Sequence, residues 1–189
     1  MATPINLFFG DMDGGYPNAA NGSTSAITND SNTFFLDAGK NATYGDMEVY
    51  DLQTSILPVD ATITGIEVRI LNSGYSGGSA GSSTFDCEIF HGIDSQYSNT
   101  ISTEVDNLQT SPEEIVIGDS TQLWGKTWTK ADFYHSSFKV HFDNMVENGP
   151  QIGLVGTFIY MRVYYEAATS GLLKLDSGLV QLNSGLITI

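Results

Sequence analysis

The sequence predicts an all-β chain, an antiparallel β-sandwich that carries a short C-terminal β-repeat arm. Three observations predict it. Apolar and polar residues alternate with a period of two through most of the first 166 residues, clusters of Gly, Asn, Asp and Ser separate the alternating runs, and a seven-residue unit is written three times at the end. Successive strand side chains point to opposite faces, so a period of two broken by turn-forming residues means strands joined by turns. Helical periodicity is nearly missing from this part of the chain.

The first candidate strand is Ile5 to Phe9, followed by a stretch from Gly10 to Asn32 so rich in Asn, Gly, Ser and Asp that it is expected to be mostly loop. Thr33 to Asp37 and Met47 to Leu52 are further strand candidates. In Ala61 to Asn72, Ile66, Val68 and Ile70 are placed to face a core while Glu67 and Arg69 face solvent. Gly74 to Ser83 has the composition of a flexible loop. Phe85, Cys87 and Ile89 then alternate with Asp86 and Glu88, Glu114 to Ile117 is a short strand, and Phe138, Val140 and Phe142 alternate with Lys139, His141 and Asp143. One short helix is expected at Thr129 to His135, where Thr129 can cap the free amides and Asp132 sits near the positive helix end. The longest run is Leu154 to Glu166, with Ile159, Met161, Val163 and Tyr165 on one face and Tyr160, Arg162 and Tyr164 on the other. Both faces carry apolar bulk, which marks a central strand or one whose outer face packs on a neighbour. Seven or eight strands fit a two-sheet sandwich. A chain of 189 residues holds one such domain, taken as 1–166, with 167–189 as an appendage.

The appendage reads Ser170-Gly-Leu-Leu-Lys-Leu-Asp, Ser177-Gly-Leu-Val-Gln-Leu-Asn and Ser184-Gly-Leu-Ile-Thr-Ile. Leu172, Leu175, Leu179, Leu182, Leu186 and Ile189 have the alternate three-and-four spacing of a coiled-coil seam. Against a helix stand Gly171, Gly178 and Gly185, each costing roughly 1 kcal/mol in a helix interior. Asp176-Ser177-Gly178 and Asn183-Ser184-Gly185 are natural turns, so strand-turn-strand is the favoured reading and a short oligomeric coiled coil the alternative. Either form needs a surface on which to bury its leucines. These six residues are therefore the candidate partner-binding residues of an assembly arm, with strand addition as a recognition mode that requires no catalytic group.

Composition narrows the function. Hydrophobic residues make up 41% of the chain and aromatic residues 11%, enough to fold. Only 15% are charged, as 22 acids against 7 bases, for a formal charge of −15. Nucleic acid and anionic membrane surfaces attract clustered Lys and Arg, so neither is an expected partner. The acidity itself is read as a solubility feature. A single cysteine, Cys87, excludes an intrachain disulfide, and its core-facing position makes it a small hydrophobe rather than a nucleophile. No stretch approaches the roughly 20 apolar residues of a membrane-spanning helix, and the N-terminus has neither the basic segment nor the apolar length of a secretion signal. Folding in a cytoplasm is expected.

No constellation for chemistry stands out. His91, His135 and His141 are isolated, without the short spacing of a zinc site, and no Gly-x-Ser-x-Gly elbow accompanies Ser136 or Ser137. Asp11-Met-Asp13-Gly-Gly opens like a calcium loop but lacks its later ligands, so an ordinary turn is expected. Asp86, Glu88, Glu113 and Glu114 could supply paired carboxylates for glycoside hydrolysis, yet among 22 acids such pairs arise by chance. No cofactor, metal or enzymatic activity is expected. Tyr75, Tyr97 and Tyr134 could form an aromatic platform for a glycan or a protein receptor.

Four patches carry a resemblance. Tyr16-Pro-Asn-Ala-Ala20, Leu57-Pro-Val-Asp-Ala-Thr-Ile-Thr-Gly-Ile-Glu-Val68, Leu123-Trp-Gly-Lys-Thr-Trp-Thr129 and Tyr160-Met-Arg-Val-Tyr-Tyr165 occur in an order that resembles jelly-roll-like modules of tailed-bacteriophage virion proteins, over most of residues 16 to 166. The C-terminal Leu-rich repeat is similar to the tails of some phage structural proteins. The resemblance implies a virion part, either a capsid decoration (cement) protein on the outer head surface or a tail-fibre or receptor-binding subunit. The compact domain, the acidity and the apolar arm favour the decoration protein, with a major capsid or tail protein as partner, and an arm that needs a burial partner in a chain with one cysteine points to a homotrimer. A glycan depolymerase is the enzymatic alternative. The patches also have an account in packing alone, with Trp124 and Trp128 as core or sheet-capping aromatics, Pro58 at a strand entry and Gly65 where two backbones approach closely.

Overall fold

The computed structural model describes residues 2–14, 34–37, 43–44, 47–53, 57–75, 82–106, 113–148, 153–156, 158–168, 172–175 and 178–181. In chain order these form β1 (Thr3–Gly14), β2 (Phe34–Asp37), β3 (Thr43–Tyr44), β4 (Met47–Gln53), β5 (Thr62–Tyr75), β6 (Ser82–His91), β7 (Gln96–Tyr97), β8 (Ile101–Asp106) and β9 (Glu113–Asp119). The helix α1 (Lys130–Phe133) follows, then β10 (Lys139–Asn148), β11 (Gly153–Gly156), β12 (Phe158–Glu166), β13 (Leu172–Leu175) and β14 (Gly178–Gln181). All pairings between them are antiparallel.

Eight strands carry the architecture: β1, β4, β5, β6, β8, β9, β10 and β12. Their hydrogen-bonded order is β9-β5-β12-β1 continuing into β4-β10-β6-β8. Numbered along the chain from first to eighth, the pairs are nested: fourth with fifth, third with sixth, second with seventh and first with eighth. One long hairpin rolled upon itself gives this order, which is the jelly roll. The chain is thus all-β and antiparallel, as its alternation predicts. The two halves are joined because β1 changes partners along its length. Thr3 to Phe8 pair with β12, and Phe8 to Gly14 pair with β4. The sheet therefore curls continuously, and its ends, β8 and β9, come to lie beside each other.

The inner face is made by the alternation read from sequence. Val140 lies between Val49 and Ile89, and Phe142 between Met47 and Cys87, on one half. On the other, Met161 lies between Leu7 and Val68, and Ile159 pairs with Ile70. All are buried in one core. Adjacent outward positions are Lys139, His141, Asp86 and Glu88 on the first half and Tyr160, Arg162, Glu67 and Arg69 on the second.

The Leu123–Trp128 segment packs into the core, with Trp124 and Trp128 in it and Leu123 against it. Trp124 and Gly125 both have positive φ, 56° and 73°, in a turn closed by the Lys126 amide donating to the Leu123 carbonyl at 3.1 Å. The Trp124 side chain is fully buried, and its Nε1 donates to the Ile66 carbonyl at 3.0 Å. Two glycines make room. A Cβ on Gly65 would lie 2.1 Å from the carbonyl carbon of Ser120, and one on Gly118, at φ 89°, would lie 2.4 Å from the Ile66 carbonyl oxygen. The close approach expected at Gly65 and the core placement of Trp124 and Trp128 are both found.

Several expectations need correction. Residues 10–14 continue β1 instead of starting a loop, so Asp11 and Asp13 belong to a paired strand and not to a turn. The loop expected from Gly74 to Ser83 gives way to strand at both of its ends, since β5 runs through Tyr75 and β6 begins at Ser82. Glu67 was expected in solvent and is instead 6% exposed, because Arg69 and Tyr164 cover and satisfy its carboxylate. The Tyr16–Ala20 patch lies outside the described residues.

Candidate functional site

The C-terminal repeat begins a sheet of its own. Among the described residues, β13 and β14 pair with each other and with no other strand, with Leu172 opposite Gln181, Leu173 opposite Val180, Lys174 opposite Leu179 and Leu175 opposite Gly178. Two residues separate the strands, as in a tight hairpin. This register is strand-turn-strand, and it distributes the repeat differently from a helix. Leu173, Leu175 and Val180 occupy positions of one ribbon face, and Leu172, Lys174, Leu179 and Gln181 the other. Of the six partner-binding candidates, Leu172 and Leu179 therefore share a face and Leu175 lies on the opposite one. Leu182, Leu186 and Ile189 lie outside the described residues.

The outer face of β9-β5-β12-β1 carries an arginine, carboxylate and tyrosine network. Arg69 donates to Glu67 at 2.7 Å and to Glu114 at 2.6 Å. The Tyr160 hydroxyl donates to the second oxygen of Glu114 at 2.6 Å, and the Tyr164 hydroxyl to the second oxygen of Glu67 at 2.9 Å. Desolvation acts to raise the Glu114 carboxyl, but the bonds from Tyr160 and Arg69 outweigh it and hold it below the ordinary glutamate value. Beside the network, Phe8, Phe158 and Tyr160 form an aromatic cluster with ring centroids 5.7 to 6.2 Å apart. Phe8 and Val116 are the most open apolar side chains here, at 40% and 41% exposure. The apolar bulk on the second face of β12 is the sequence signal for this surface; the network around Glu67 and Glu114 could not be read, because it depends on which strands are neighbours.

At the α1 end, His91 is held between two carboxylates. Its Nε2 lies 2.7 Å from Asp132 and its Nδ1 2.9 Å from Asp94, while Lys126 binds the other oxygen of Asp94 at 2.7 Å. Asp132 also caps α1, accepting from the Thr129 amide and hydroxyl at 2.6 and 2.7 Å. Hydrogen bonding to Lys126, the largest influence, holds the Asp94 carboxyl below the ordinary aspartate value. With both imidazole nitrogens engaged and Trp128 against the ring at 5.1 Å, His91 works as a clasp between β6 and α1.

The outer face of β4-β10-β6 is the third surface. A groove of about 480 Å³ is lined there by Glu48, Tyr50, Phe90, Ser136, Ser137, Phe138 and Lys139. Lys139 binds Glu48 at 2.6 Å and lies 5.3 Å from the Phe90 ring centre. Partial burial works to lower the Lys139 ammonium, and Glu48 outweighs it, so the group titrates above the ordinary lysine value. The aromatic residues expected to act from loops are placed as follows: Tyr75 ends β5, Tyr97 lies on β7 next to this groove, and Tyr134 follows α1.

The remaining sequence candidates are dispersed. Asp86 and Glu88 share the outer face of β6, where they accept from Ser102 and Thr100, whereas Glu113 and Glu114 are on β9 in the other half. Cys87 is fully buried, and desolvation pushes its thiol well above the ordinary value, which matches an inert core residue. Among the described residues, no group of three or more His, Cys, Asp or Glu is placed to hold a metal ion, and no helix is long and apolar enough to cross a membrane. Comparison of the chain with known protein families, curated proteins and solved structures finds no match.

Proposed function

We propose that this chain is a structural protein of a bacteriophage virion, a capsid decoration (cement) protein that assembles as a homotrimer on the outer head surface and stabilises the shell. Jelly rolls serve many functions, so the fold alone does not assign one. The observation that carries the reading is the C-terminal ribbon. The eight nested strands complete the roll without it, and β13 and β14 form a separate two-stranded sheet with three apolar residues at the positions of one face. A small two-stranded sheet is marginal in water by itself, so the ribbon needs a partner surface. The resemblance of the four sequence patches to phage virion modules supports this role.

The test is to add purified protein to heads assembled without it. The full chain should bind the heads and raise their resistance to heat, and a chain ending at residue 169 should bind at least tenfold more weakly (about 1.4 kcal/mol). Labelled protein found on tails and not on heads would overturn the decoration role.

A further inference from the structure

We infer that the groove on the outer face of β4-β10-β6 is a binding site for a neutral oligosaccharide. The strand register builds it. Tyr50 pairs with Lys139, Lys139 with Phe90, and Phe90 with Tyr97, so four successive strands, β4, β10, β6 and β7, contribute one straight rung across the outer face. At roughly 4.8 Å between strands, that rung spans about 14 Å, the length of a short oligosaccharide. Three of its four members are aromatic, and sugar rings present C–H faces that pack on aromatic side chains.

The polar groups in the groove suit hydroxyls. Glu48 and the Lys139 ammonium, 2.6 Å apart, set an acceptor and a donor side by side, as a pair of vicinal hydroxyls requires. Lys139 is fixed further by the Phe90 ring, so little side-chain freedom remains to be lost on binding. Ser136 and Ser137 line the groove with two further hydroxyls. Its volume of about 480 Å³ lies within the usual range of small-molecule sites. Charge selects against acidic glycans. The next outward rung is Glu48, His141 and Glu88, and the whole chain carries −15. Tyr97, 41% exposed at the end of the rung, leaves the groove open for a chain to extend beyond it. This site does not depend on whether the protein sits on a head or a tail, and no ribbon residue lines it.

The experiment is a titration of the isotopically labelled full chain with cellopentaose, laminaripentaose, maltopentaose and chitopentaose, with a pentagalacturonate as the acidic control, followed by amide and aromatic NMR shifts. At least one neutral sugar should bind with a Kd of about 1 mM or tighter. Its shifts should centre on Tyr50, Phe90, Tyr97 and Lys139, and the acidic sugar should bind at least tenfold more weakly. Tyr97→Ala should weaken binding about tenfold. No binding by any neutral sugar, shifts that map elsewhere, or equal binding of the acidic sugar would each overturn the assignment. Because the site is mapped residue by residue in the wild-type chain, the result stands even where a variant is destabilised.

Discussion

Trp124 holds a backbone conformation that bulky side chains rarely take, at a cost of about 1–3 kcal/mol. Burial of its indole and the bond from Nε1 to the Ile66 carbonyl offset that cost. Trp124→Phe removes that donor from the core, so it should lower unfolding free energy by about 1–3 kcal/mol, measured by urea denaturation. A change below the error of the measurement would mean that the indole bond contributes nothing. Gly65→Ala should destabilise as well, because its Cβ would meet backbone atoms of Ser120 that have no rotamer with which to move aside. The sequence made Gly65 and both tryptophans legible as packing residues; the left-handed turn at Trp124 was not, since nothing in Leu-Trp-Gly-Lys announces positive φ at the tryptophan. Cys87 should resist a thiol reagent in the folded protein and react stoichiometrically in denaturant. Rapid reaction under native conditions would contradict its burial.

Among the elements, α1 shows how local and distant information combine. Its start was legible, because Thr129 and Asp132 form a capping pair within four residues. The second role of Asp132, binding His91 on β6, depends on tertiary pairing that no local pattern encodes. Asp132→Ala removes both the cap and the His91 partner, and should cost about 1–3 kcal/mol for the buried group left unpaired. Thermal melts of Asp132→Ala and His91→Ala, with the double variant, check this. Losses that simply add would show that the two side chains do not act as one clasp. β8 escaped the sequence reading because Ile101-Ser-Thr-Glu-Val-Asp106 has little apolar bulk to reveal its alternation. The C-terminal repeat was ambiguous for the opposite reason: a period of seven suits both a seam of leucines and strands separated by turns, and the glycines decide for the ribbon.

At the scale of the whole molecule, several ionisable groups are tuned by their neighbours, which fixes how stability depends on pH. Glu114, Asp94 and Asp119 titrate below their ordinary values of 4.5, 3.8 and 3.8. Their folded pKa values are depressed, so their stabilisation is complete above those ordinary values and is lost as pH falls through the lower folded ones. Lys139 is raised above 10.5, so its contribution is complete below that value and is lost as pH rises beyond it. Melting temperature should therefore begin its acid decline near pH 4.5; a steep loss already near neutral pH would contradict this assignment. The fold class and the core were legible because both follow from alternation, whereas the nested order of the strands had only the virion resemblance to suggest it. The roll is expected to fold by itself, and the ribbon to join it to a partner. Sedimentation velocity of the full chain and of a chain ending at residue 169, with near-ultraviolet circular dichroism of both, tests it most directly. A trimer is expected for the full chain and a folded monomer for the shortened one; a shortened chain that unfolds, or one that still forms the same trimer, would rule this arrangement out.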